Sequence, residues 1–78
     1  MKHARADYDR IQDPAGLIPA DEPVFLLRGQ DKFAAATLRY YADLVELGGA
    51  DLSLVQATLR QSHLMDAWPK HKVPDLNK

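Results

Sequence analysis

Apolar residues at helical spacing fill the second half of the chain. They recur as Phe33, Thr37, Tyr40, Leu44 and Leu47, and again as Ala34, Leu38, Tyr41 and Val45. Steps of three and four set each group along one side of a helix. The Ala34-Ala35-Ala36 run has high helix propensity, and Asp31 stands where an N-cap belongs. The pattern predicts a first helix over about residues 32–47, ended by Gly48-Gly49 with one glycine left-handed. Asp51 is a second N-cap. Leu52, Val55 and Leu59 on one side, and Leu54, Ala57, Leu64, Met65 and Trp68 on another, predict a second helix over about residues 52–67, stopped by Pro69. The short glycine link makes the pair an antiparallel αα-hairpin.

The first half reads differently. Val24-Phe25-Leu26-Leu27-Arg28 is too short for a helix and too apolar for a loop. Pro23 is tolerated at the start of a strand and Gly29 breaks it, so this run predicts one short strand. Asp13-Pro14-Ala15-Gly16 is a turn sequence, with Gly16 in the left-handed position. The first dozen residues are mostly polar, with Tyr8 and Ile11 as the main large apolar groups, and predict a loose arm or a short helical turn. The fold class expected is mainly α: one short strand followed by an antiparallel αα-hairpin, oligomeric. Its parts are an N-terminal arm (1–16), a strand-plus-hairpin core (17–69) and a basic, extended tail (70–78).

Oligomerisation follows from surplus apolar surface. A helix packed on one neighbour needs one stripe, and these helices carry two. A chain of 78 residues buries too little on its own to be comfortably stable. It has no cysteine, which excludes disulfides and thiolate zinc sites. His3, His63 and His71 lie far apart without ligand spacing, so neither a metal nor another cofactor is expected. Self-association is left as the source of extra core. Leu38, Tyr41 and Val45 are expected between subunits, and a lone strand is expected to pair with another copy of itself.

The net charge of −1 weighs against bulk attraction to nucleic acid. That reading keeps only a possible cluster of Arg5, Arg10, Lys70 and Lys72. Apolar runs are too short to span a membrane, and the first residues lack the apolar core of a signal peptide. The expected setting is cytoplasmic, in the host cell if the chain is phage-encoded.

Catalytic signatures are missing. The sequence has no Gly-rich phosphate loop, no nucleophile elbow and no His-Glu-Xaa-Xaa-His. Asp21-Glu22 reads as a solvated loop, and His63 with Asp66, three apart on a helix, as a surface pair. A non-enzymatic role is expected. Binding has better candidates. Arg28, Gln30 and Asp31 follow the strand and open a helix, whose free amides favour anions. Arg28 adds a planar fork suited to phosphate or carboxylate. The alternative is that Asp31 merely caps and Arg28 pairs with Asp21 or Glu22. Trp68, Lys70 and Lys72 have the composition that stacks a base and neutralises its phosphate, although Trp68 also fits the core. Tyr40 and Tyr41 point to different faces. One belongs to the core, and the other to a ligand or a subunit interface.

The block Ile18-Pro19-Ala20-Asp21-Glu22-Pro23-Val24-Phe25-Leu26-Leu27-Arg28-Gly29-Gln30-Asp31, with Asp13-Pro14-Ala15-Gly16 before it and Trp68-Pro69 after, resembles a group of short proteins from phages and prophages. The resemblance implies a setting and carries no functional residue across. Small phage proteins without catalytic motifs often act by binding. Two functions are expected on that footing. One is a sponge: a homo-oligomer that sequesters a phosphorylated small molecule, a nucleotide immune signal, in an anti-defence role. The other is an inhibitor or adaptor that docks on a host defence protein. No membrane partner is expected.

Overall fold

The computed structural model describes residues 2–10 and 13–77, and the side chains of all of these except Lys2, Asp9 and Arg10. Ile11 and the Arg10 side chain lie outside the described residues. The chain forms two compact units. One runs through Leu26 and is taken up again from Asp75; the other is Leu27–Pro74.

In the first unit, β1 (Lys2–His3) pairs in parallel with β2 (Pro23–Val24), Lys2 opposite Pro23 and His3 opposite Val24. A 3-10 helix over Ala6–Arg10 follows β1. The strand expected over Val24–Arg28 is therefore shorter, and its partner is the chain's own N-terminal segment rather than a second copy. His3 supplies the physical reason. Its ring stacks on Phe25 and meets Tyr8 edge-on, each at 5.1 Å between centroids. The Arg5 N–H donates to its Nδ1 at 3.0 Å, and the Leu26 N–H faces its Nε2. From Phe25 onward a side chain stands where a ladder would continue. Arg5 binds two carboxylates, Asp7 and Asp75, each at 2.6 Å. Asp7 is the main cause of a guanidinium held above its ordinary pKa. The expected turn forms: Gly16 has φ +64° and donates to the Asp13 carbonyl at 3.0 Å. The Asp13 carboxylate accepts from Leu17 and Ile18 at 3.2 and 2.9 Å.

The second unit is built on α1 (Ala34–Leu47) and α2 (Leu52–Ala67), which pack together. An Arg39–Asp66 ion pair of 2.9 Å links the first half of α1 to the end of α2, as antiparallel helices require. α1 starts two residues later than its pattern suggests. Asp31 accepts the Phe33 N–H on its carboxylate (2.8 Å) and the Ala34 N–H on its carbonyl (3.0 Å), closing a turn ahead of the helix. Gly49 takes the left-handed position at φ +78°, and Ala50 donates to the Val45 carbonyl at 2.9 Å. Asp51 caps α2 by accepting the Ser53 N–H at 2.9 Å.

Small side chains form the seam between the helices. Ala34, Ala35 and Ala42 of α1 are buried, as are Val55, Thr58 and Ser62 of α2. The hydroxyls of Thr58 and Ser62 donate back to the Leu54 and Leu59 carbonyls, at 2.8 and 2.6 Å, so neither leaves an unpaired group at the seam. Leu38 and Val45 share this side of α1 and are half-buried within the chain. Tyr41, the third residue expected between subunits, is exposed. The surplus stripe is the other one: Phe33, Thr37, Tyr40, Leu44 and Leu47 are all exposed. No helix among the described residues is long and apolar enough to cross a membrane.

Two measurements check this account. Ser62 is fully buried, so Ser62→Leu overpacks the seam and should lower the melting temperature by roughly 5–20 °C. Asp51 is held below the ordinary carboxylate range, first by the Ser53 N–H and then by its hydroxyl. A depressed folded pKa stabilises above the unfolded value, and the contribution is lost as pH falls through the folded one. Asp51→Ala should therefore lower the melting temperature at neutral pH by about 4–8 °C and make little difference in strong acid.

Candidate functional site

Residues just after Leu26 and residues at the end of α2 line one open groove of about 400 Å³. Leu27, Arg28, Gly29 and Gln30 form one wall. Gln61, Leu64, Met65 and Trp68 form the other. Gln61, Leu64 and Trp68 recur at steps of three and four, so they share a face of α2 and its C-cap.

Three groups of contacts hold the walls. Trp68 is the C-cap of α2, its N–H bonded to the Met65 carbonyl at 3.2 Å. Pro69 forbids further helix, so the chain turns back. His71 Nε2 lies 3.1 Å from the same Met65 carbonyl and fastens the turn. Next, Lys72 donates to the Gln30 carbonyl (2.7 Å) and its own carbonyl accepts from Lys32 (3.0 Å), a parallel bridge centred on Asp31. This part of the basic tail is pinned by its backbone. Finally, the indole lies against Gly29: a Cβ placed there would sit 3.4 Å from both Cβ and Cγ of Trp68. A methyl group would just touch the ring, and anything larger would meet it.

Arg28, Gln30 and Trp68 therefore line one groove. Arg28 is exposed, Gln30 is half-buried, and Trp68 is 54% exposed. The Lys72 backbone lies alongside Asp31, next to Gln30. Lys70 is exposed in the turn between them. Asp31 is buried, its carboxylate occupied by the Phe33 N–H. Tyr40 is exposed on α1 and does not line the groove. Sequence reasoning missed Leu27, Gly29 and Gln61, and read Leu64 and Met65 only as packing residues. A spacing signal existed for Gln61, four before Met65 and seven before Trp68, but a polar residue on a mixed face attracts no notice. Nothing in the sequence places residue 29 against residue 68.

Chemically the walls offer a guanidinium, two carboxamides, an indole and the apolar side chains of Leu27, Leu64 and Met65. Among the described residues, none on its walls carries a carboxylate, imidazole or hydroxyl side chain. Among the described residues no group of three His, Asp or Glu is placed to hold a metal. No protein family, curated protein or solved structure matches this chain.

The close approach at Gly29 can be tested with the only tryptophan in the chain. Gly29→Ala meets the ring at ordinary contact distance and should leave emission and melting temperature nearly unchanged. Gly29→Leu should displace the indole, shift its emission to the red and lower the melting temperature by roughly 4–15 °C.

Proposed function

We propose that this groove binds a phosphorylated small molecule, a nucleotide signal, and that the protein acts by sequestering it without turnover. The observation that carries the reading is the meeting of Arg28, Gln30 and Trp68 on one surface, from positions some forty residues apart in the chain. A half-exposed indole offers a face for stacking a base. The Arg28 guanidinium is a forked donor for phosphate oxygens. Gln30 and Gln61 supply carboxamides that both donate and accept, as base edges require. The volume falls in the range of small-ligand sites.

Sequestration rather than catalysis is favoured by the walls. A ligand in the groove meets groups that hold and orient it. Among the described residues, none on the walls carries a side chain that exchanges a proton or attacks a phosphorus near neutral pH. The turn after α2 brings the Lys72 backbone onto Gln30, and Lys70 lies two residues before it, so the reading gives these two cations a supporting role. The phage resemblance of the central block suggests the setting, an anti-defence role against a nucleotide immune signal.

Calorimetry against a panel of cyclic and linear nucleotides tests this reading. Arg28→Ala should weaken binding roughly ten- to a hundredfold while the fold persists, since a charge-assisted bond of about 1.5–3 kcal/mol is lost. Arg28→Lys should recover part of that, because an ammonium lacks the paired geometry. Lys70→Ala should cost less and depend on salt. If no nucleotide binds and the protein instead captures a host protein from lysate, the inhibitor reading replaces this one.

A further inference from the structure

The outward stripe of α1 lies on a different side of the molecule's second unit from the seam. Phe33, Thr37, Tyr40, Leu44 and Leu47 alternate in steps of four and three, the spacing of a two-helix seam. Leu47 is 86% exposed, Tyr40 65% and Phe33 51%. Water covers a face patterned to meet another helix.

Charge along one edge of the stripe indicates which helix. Lys32 and Arg39 lie toward the N-terminal end, and Asp43 and Glu46 toward the C-terminal end of the same edge. Lys32 sits over the Phe33 ring, its Nζ 5.5 Å from the centroid. Asp43 and Glu46 line a shallow depression with Leu47. Basic-and-aromatic at one end thus matches acidic-and-aliphatic at the other. We infer that this face binds the same face of a second copy, antiparallel, about a two-fold axis near Tyr40.

In that arrangement each position faces the one equally far beyond Tyr40 on the other copy. Phe33 of one copy meets Leu47 of the other, and Tyr40 meets Tyr40. Antiparallel packing also brings like edges together. Lys32 then comes within two residues of the level of Glu46, and Arg39 within two residues of the level of Asp43, offsets that long side chains span. Arg39 already binds Asp66 but remains 47% exposed, with guanidinium donors to spare. A parallel pair would set the charged edge against the uncharged one, which carries Tyr41.

Cysteine cross-linking tests both the partner and the direction, because the chain has no cysteine of its own. Sedimentation of the unmodified chain should give an even multiple of its 8.7 kDa mass. On mild oxidation Tyr40→Cys should form a covalent dimer with itself. Phe33→Cys and Leu47→Cys should each stay single alone and cross-link when mixed. Lys32→Glu or Glu46→Lys alone should weaken association about two- to fivefold at low salt, and the two together should restore it. A single-chain mass at the highest soluble concentration would overturn the inference. So would an odd number of subunits, or Phe33→Cys cross-linking to itself as readily as Tyr40→Cys.

Discussion

The seam between α1 and α2 is closed by small side chains, and the rest of the second unit depends on that. Ala34, Ala35 and Ala42 meet a surface of Val55, Thr58 and Ser62. Small residues occupy the contact between the two helices, and most of their large residues are turned outward. On α2 the displaced residues include Leu64 and Trp68, which become a groove wall. On α1 they are Phe33, Tyr40, Leu44 and Leu47, which become an open stripe. Both candidate binding surfaces are consequences of a core built from alanine, serine, threonine and one valine.

Such a core is thin. At about 25 cal/mol per Å² of apolar area, buried alanines contribute much less than the leucines and aromatics left outside. Local backbone devices partly offset this. Asp13, Asp31 and Asp51 each accept backbone N–H groups at a turn or helix start. Gly49 closes α1, and Lys72 stitches the chain after α2 to the chain before α1. These contacts fix direction more than they add burial. They explain how a groove with few buried residues still has defined walls: each wall is anchored by backbone bonds at its end.

The hairpin was legible because its signals are local. Period, caps and glycine stops all act within a few residues, and both helices fall close to where the pattern puts them. The shorter β2 was not legible, because its partner is a histidine side chain and two residues near the N-terminus, contacts that leave no periodic trace. Which residues of α1 are most buried against α2 was hard to read for a related reason. Leu38, Tyr41 and Val45 look like the stronger interface by size, yet Ala34 and Ala42 beside them decide the packing by being small. Of the candidate site, Arg28, Gln30 and Trp68 were visible as chemistry but not as neighbours. Their meeting rests on the indole lying against residue 29 and on His71 and Lys72 folding back, facts of tertiary geometry alone.

The central physical claim is that a core this small is completed outside the single chain. Thermal unfolding of the unmodified protein across about a hundredfold range of concentration tests it most directly, because stability drawn from association follows mass action. The account predicts a melting temperature that climbs steadily with protein concentration. A melting temperature unchanged across that range, with a mass of one chain throughout, would contradict it.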